Sequence, residues 1–211
     1  MAGRNASKGT SRYHSPLRER QAAATRAAVL DAALALFGAN GWAATTLTAV
    51  ADKAGVSVDT IYSTFGTKSA LLMEVVEIAL VGDDEEAAMA DRPDFALLGV
   101  GGRDERLRAG VRYTMAVYER SLPILEAVRE AAASDDAARA RNQRLDRDRR
   151  ELIAAGMALI LGREPPDEVI DGIWALISPE VFVYLREKRG WSPDRVEDWF
   201  VDLALAAINR A

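Results

Sequence analysis

"AGVSVDTIYSTFGTK", Ala54 to Lys68, decides how the chain is read. Gly55 supplies a turn where a small residue is needed, and Ser57 can cap a short helix through Ser63 by accepting from the free amides of its first turn. Gly66 and Thr67 interrupt that helix before Lys68 opens the next. Just upstream, Thr46 caps another short helix through Lys53. Short helix, tight turn and second helix over residues 46–63 are what a helix-turn-helix requires, its second helix entering the major groove of DNA by its N-terminal half. Taken alone the pattern is moderately specific, because Ala-Gly-Val-Ser turns also join helices that never touch DNA. The segment is also poor in positive charge: Lys68 is its one basic residue, and Asp59 sits in mid-reader.

Outward from this stretch, apolar residues keep helical spacing nearly everywhere, with no alternating strand pattern and no fixed repeat. A helix over about residues 21–39 places Leu30, Ala33, Leu34 and Phe37 on one face, and Gly41 follows as its terminator. Lys68 to Leu80 continues as a longer helix, and Gly82 to Gly102, with its acids at Asp83 to Glu86, Pro93 and three late glycines, reads as a linker or loop. Beyond it, Leu107, Val111, Thr114, Met115 and Tyr118 form a helical stripe that ends near Ser121 and Pro123, followed by a shorter helix through about Ala133. Three more helices are expected: Asp135 to Leu161, Asp167 to Arg189 bent at Pro179, and Pro193 to Asn209 capped by Ser192. The expected fold is all-α, with about nine helices. It divides into an arm over residues 1–20, a helix-turn-helix domain over 21–67 and a helical domain over 68–211.

Charge is segregated. The whole chain of 211 residues carries −5 at a pI near 5.1. Arg4, Lys8, Arg12, Arg18, Arg20 and Arg26 stand against Glu19 alone, which makes residues 1–26 basic and the remainder strongly acidic. Such an arm can follow a phosphate backbone or enter a minor groove, and the bland alternative is a solubilising tail. The absence of cysteine excludes disulfides, thiolate metal sites and cysteine nucleophiles, and fits a reducing cytoplasm. No uninterrupted run reaches the ~18 apolar residues of a membrane span, so no membrane partner is expected.

The wider stretch "TRAAVLDAALALFGANGWAATTLTAVADKAGVSVDTIYSTFGTKSALL", Thr25 to Leu72, closely resembles the DNA-binding domain of TetR-family transcriptional regulators. The likeness runs through Phe37, Gly41, Thr45-Thr46, Ala51, Ala54-Gly55-Val56-Ser57, Thr60-Ile61-Tyr62, Phe65 and Lys68. Trp174 to Phe200 more loosely resembles the end of some ligand-binding domains of that family. The resemblance implies a homodimer with two reading heads on double-stranded operator DNA, and an all-helical core whose small-molecule effector releases the DNA.

Each position has its own chemistry. Thr45, Thr46 and Thr48 start the first short helix, where hydroxyls and free amides suit phosphate oxygens, helix capping being the alternative for Thr46. Ser57, Val58, Asp59 and Thr60 start the reader and are the candidates for base edges, while Tyr62, Lys68 and Arg26 are candidates for phosphate. Ile61 and Phe65 read as core. Asp59 departs from expectation, because an acid repels phosphate yet can accept from cytosine N4, and Thr64 stands where the family often has Tyr or His. For the dimer, Ile170, Ile173, Ile177, Val196, Trp199, Phe200, Leu203 and Ala207 form apolar faces on two late helices; packing inside one chain is the alternative for Trp174. Tyr113, Met115, Tyr118, Trp174 and Phe182 are candidates for the wall of a pocket taking a largely apolar effector.

No cofactor or metal site is expected, and an enzyme is disfavoured: His14, the one histidine, lies in the arm, and no glycine loop cradles phosphate. The rival readings are a helical protein-interaction module and, on the same fold, an activator in place of a repressor.

Overall fold

A computed structural model gives the fold of residues 16–82 and 89–210, and every regular element in it is helical. The first helix, α1 (Pro16–Ala44), begins at Pro16 and not near Gln21. Pro16 loses no helical hydrogen bond at such a position, Glu19 suits the positive end of the helix, and the Arg20 Nε donates to the Pro16 carbonyl at 3.3 Å. The expected arm therefore turns helical at Pro16; its first fifteen residues, like the acids Asp83 to Glu86, lie outside the described residues. Gly41 ends the regular part of α1 as the sequence predicts: at φ 72° it breaks the helix, which resumes for one turn at Trp42. By length and composition α1 could cross a bilayer. Its apolar face is instead committed to packing, with Val29, Leu30, Ala33 and Phe37 buried.

Three capped helices follow: α2 (Leu47–Ala54), α3 (Val58–Phe65) and α4 (Lys68–Val81). The hydroxyls of Thr46, Ser57 and Thr67 accept from the amides of Ala49, Thr60 and Ala70, as short side chains at an N-cap should. Phe37, Val50, Ile61, Leu71, Leu72 and Val75 form the centre of the head core. Full burial of such side chains contributes about 1.5 to 3 kcal/mol each. Because the inner face of α4 belongs to this core, packing does not separate a head from a body at residue 67.

The expected linker is more ordered than its composition suggests. A 3₁₀ turn at Met89–Asp91, α5 (Pro93–Ala96) and a 3₁₀ turn at Leu97–Gly99 fold it onto the body, because Phe95 and Leu98 are buried there. A second correction concerns Pro123, which does not end a helix: α6 (Arg103–Ala132) runs straight through it. Leu122 packs in the body core and Ile124 in the head core, so α6 bridges the two, and burial on both sides outweighs the missing amide. The Ser121 hydroxyl, buried beside it, donates back to the Val117 carbonyl at 2.7 Å, the bond a hydroxyl finds inside a helix.

The body is completed by α7 (Asp136–Leu161), α8 (Asp167–Leu176), α9 (Pro179–Val183) with a π-helical turn at Tyr184–Lys188, and α10 (Pro193–Arg210). Five residues expected at a dimer interface are core: Ile170, Ile173, Ile177, Val196 and Phe200 are buried within the single chain. The cause is that α8 and α10 turn these faces toward each other, and α8 packs also on α7 and α10 on α6. Trp199, Leu203 and Ala207 stay partly exposed on α10.

Candidate DNA-reading head and effector cavity

The reader α3 is anchored from below by Ile61 and Phe65, both buried as the sequence predicts. This fixes the opposite face toward solvent. Asp59 is exposed in the first turn, and Tyr62 is 54% exposed with its ring outside the core. The Ser57 and Thr60 hydroxyls lie 2.8 Å apart and form one polar group at the start of the helix. Val58 is partly buried against the head core, which limits its reach toward a base. Thr64 donates to the Thr60 carbonyl at 2.8 Å. On α2, Thr46 and Thr48 are exposed beside the reader, with Thr46 already used as a cap.

Three expected phosphate contacts have other employment. Thr45 is 1% exposed, and its hydroxyl donates to the carbonyls of Leu36 and Gly41 at 3.0 and 2.8 Å. It pins the break in α1 and cannot reach a phosphate. Arg26 forms an ion pair with Glu74 of α4, its guanidinium 5.6 Å from the centre of the Phe65 ring. Lys68 donates to the Trp42 carbonyl and lies over the Trp42 ring. Burial pushes the Lys68 pKa down, with the charge of Glu130 opposing.

In the body, α4, α6, α7 and the segment carrying Phe95 and Leu98 line a partly open cavity of about 990 Å³. Its inner wall is apolar, formed by Leu107, Val111, Met157, Ile160 and Ile173, while Arg129, Arg141, Asn142, Arg149 and several acids stand along the rest of its lining. Two glycines, Gly110 on α6 and Gly156 on α7, line it, and at the first of them space is short: a Cβ on Gly110 would come 2.9 Å from the Ile160 Cδ1. Of the five expected wall residues, Tyr113 and Tyr118 line the cavity. The Tyr118 hydroxyl is already committed, donating to the Ile177 carbonyl at 2.7 Å.

Met115, Trp174 and Phe182 do not line it. Met115 is buried in the body core. Trp174 is drawn aside by its indole N–H, which donates to the Asp146 carbonyl at 3.3 Å, and by the Arg149 guanidinium 4.8 Å from its ring centre. Phe182 packs edge-on against Tyr118 at 5.7 Å. The cavity residues that sequence reasoning missed had faint signals: Phe95 and Leu98 are apolar in a segment whose composition reads as linker, and Gly110 and Gly156 interrupt good helical stretches.

Residues 29–75 match the model of the tetR family of bacterial regulatory proteins. The match lies within the head, where it marks a DNA-binding segment like that of tetR-family regulators. Among curated proteins no sequence matches it. Solved structures share the fold along nearly their whole length. SmeT in complex with triclosan superposes with a TM-score of 0.61 at 22% identity, over 87% of this chain and 91% of that one. NalD of Pseudomonas aeruginosa, the secondary repressor of the MexAB-OprM multidrug efflux pump, gives 0.60 at 22%, over 89% and 98%. PfmR of Thermus thermophilus gives 0.55 at 20%, over 86% and 97%.

Head and body meet at a polar joint. The Glu130 carboxylate, near the end of α6, accepts from the Trp42 amide at 2.7 Å and the Ala43 amide at 3.1 Å. A second tie runs from the Ser69 hydroxyl on α4 to the Asp135 carboxylate at 3.0 Å, and Asp135 also caps α7 through Ala138. The backbone bond from Ala138 holds the Asp135 carboxyl below its ordinary pKa, against the desolvation that would raise it. A third tie joins Glu77 of α4 to Arg141 of α7, both on the cavity lining.

Proposed function

We propose that the chain is a homodimeric, ligand-responsive repressor acting in the cytoplasm, which binds a palindromic operator and leaves it when a small molecule fills the body cavity. The observation that carries this reading is the cavity itself, lined by α4 and α6, the two helices that also pack in the head core. An occupant that favours one arrangement of these helices favours one spacing of the heads, and its differential affinity sets the shift. The mostly apolar wall suits an amphipathic effector with a large apolar body.

On the reader, Ser57, Asp59 and Thr60 face base edges, and Tyr62, Thr46 and Thr48 hold phosphate. Trp199, Leu203 and Ala207 on α10 supply apolar surface for the second copy. The head spans residues 21–67 with its approach from Pro16, and the body 68–211, with α4 shared in packing.

The test is selection of bound duplexes from random DNA at stated salt, followed by challenge of the complex with a metabolite panel. Enrichment of a palindrome and its release by a panel member support the reading. Failure to enrich any symmetric sequence would sink it. Retention of the enriched duplex with transcription rising in its presence would point to an activator on the same fold.

A further inference from the structure

We propose that Glu130 is a positioning residue that sets the angle of the reading head on the body. The inference deepens the function proposed above, since a head angle matters only to a chain that places two heads on one duplex.

The local chemistry leaves a gap that Glu130 fills from a distance. After Gly41 breaks α1, the helical turn that restarts at Trp42 has free amides at its beginning. Gly41 carries no side chain to accept from them, and its φ of 72° disfavours the short polar residues that usually would. Both Glu130 oxygens are therefore engaged, one with Trp42 and one with Ala43, across a sequence separation of 88 and 87 residues. The fit is close: a Cβ at Gly41 would stand 2.9 Å from the Glu130 Oε2.

The contact closes a ring through three helices. Trp42 gives its amide to Glu130 of α6 and its carbonyl to Lys68 at the start of α4, and the Glu130 charge acts on the Lys68 ammonium in turn. Arg129, the neighbouring residue of α6, lines the cavity and pairs with Glu180 of α9 at 3.1 Å. Positions 129 and 130 share one helical turn, so a displacement of α6 at the cavity carries the Glu130 carboxylate with it, beside the apolar packing of Ile124 and Val128 in the head core. A cap that served local stability alone would leave the head's angle on the body unchanged when weakened.

The chain has no cysteine, so a spin-label pair can be introduced by Lys53→Cys and Arg147→Cys on the head and body without background. Labelled full-length chain is diluted into excess unlabelled chain, so that a dimer holds one labelled copy. Glu130→Gln keeps the shape but turns one acceptor oxygen into a donor, and the distance distribution is expected to become about twofold wider while the melting temperature falls by no more than about 2 to 8 °C. Glu130→Asp, which keeps the charge and withdraws it by one methylene, is expected to fall between the two and serves if the Gln variant does not fold. A distribution of parental width in whichever variant folds overturns the proposal. For a duplex enriched by the parent chain, Glu130→Gln is expected to weaken binding about tenfold, equivalent to 1.4 kcal/mol. Parental affinity despite a broadened head would overturn the link to DNA reading. The distance measurement needs no DNA, which separates failure of this inference from failure of the proposed function.

Discussion

The Lys68 ammonium lies 4.0 Å from the centre of the Trp42 ring while donating to the Trp42 carbonyl. Position alone suggests a phosphate contact at the start of α4, but the side chain folds back to join α4 to the break in α1. Lys68→Met, which keeps most of the apolar stem, is expected to lower stability by about 1 to 2 kcal/mol through loss of the cation–π contact and a charged hydrogen bond. The slope of log affinity against log salt for duplex DNA should not change. A slope reduced by ~0.9 would show that Lys68 neutralises a phosphate after all.

Asp59 is exposed in the first turn of α3, where a negative charge suits the helix N-terminus by about 0.3 to 1 kcal/mol but opposes an approaching phosphate. Asp59→Asn should therefore destabilise the head slightly and at the same time tighten binding to random-sequence duplex. Sequence preference, measured by repeating the selection with the variant, should broaden. A variant with parental preference and parental non-specific affinity would place Asp59 away from the DNA.

The head is legible in the sequence because its signals are local. Ser57, Thr46, Gly55 and Gly41 each act within a few residues of themselves, and each does in the structure what its chemistry predicts. The body is less so, since its packing depends on partners distant in sequence. Nothing near Pro123 announces that α6 will continue through it with one core on each side, and nothing near Phe95 announces that a linker will line a cavity. Thr45 and Lys68 escape a local reading for the same reason: their partners, Leu36 and Trp42, are set by the return of the chain after Gly41. An apolar helical face cannot say whether it meets its own chain or a second copy, and Val196 and Phe200 meet their own.

Tyr118 predicts an alkaline weakness. Burial pushes its phenol up to about 12, against the nearby Arg149 charge, so the folded state holds the proton more tightly than the unfolded chain near 10. Its contribution is complete below pH 10 and is lost as pH rises from 10 toward 12, up to roughly 2 to 3 kcal/mol in all. Urea midpoints for the parent should fall through that window, and Tyr118→Phe should flatten the fall while costing about 1 kcal/mol at neutral pH through the lost bond to Ile177. Parallel pH profiles for the two chains would contradict this account.

The two cavity glycines should respond differently to the same substitution. Alanine is favoured over glycine inside a helix by about 1 kcal/mol, so space decides the sign. At Gly156 a Cβ would meet Leu98 at 3.5 Å and Phe95 at 3.6 Å, ordinary contacts that require no movement. Gly156→Ala is expected to stabilise the body by up to ~1 kcal/mol, a rise of about 2 to 4 °C in melting temperature. At Gly110 the Cβ would stand 2.9 Å from the Ile160 Cδ1, and displacing that methyl should cancel the helical gain. Ile160→Val removes the obstructing atom, so the double variant Gly110→Ala, Ile160→Val should be more stable than the sum of its single changes predicts. Simple additivity in that cycle would mean that α6 and α7 can separate at this point without cost, and that the glycines do not define the cavity wall.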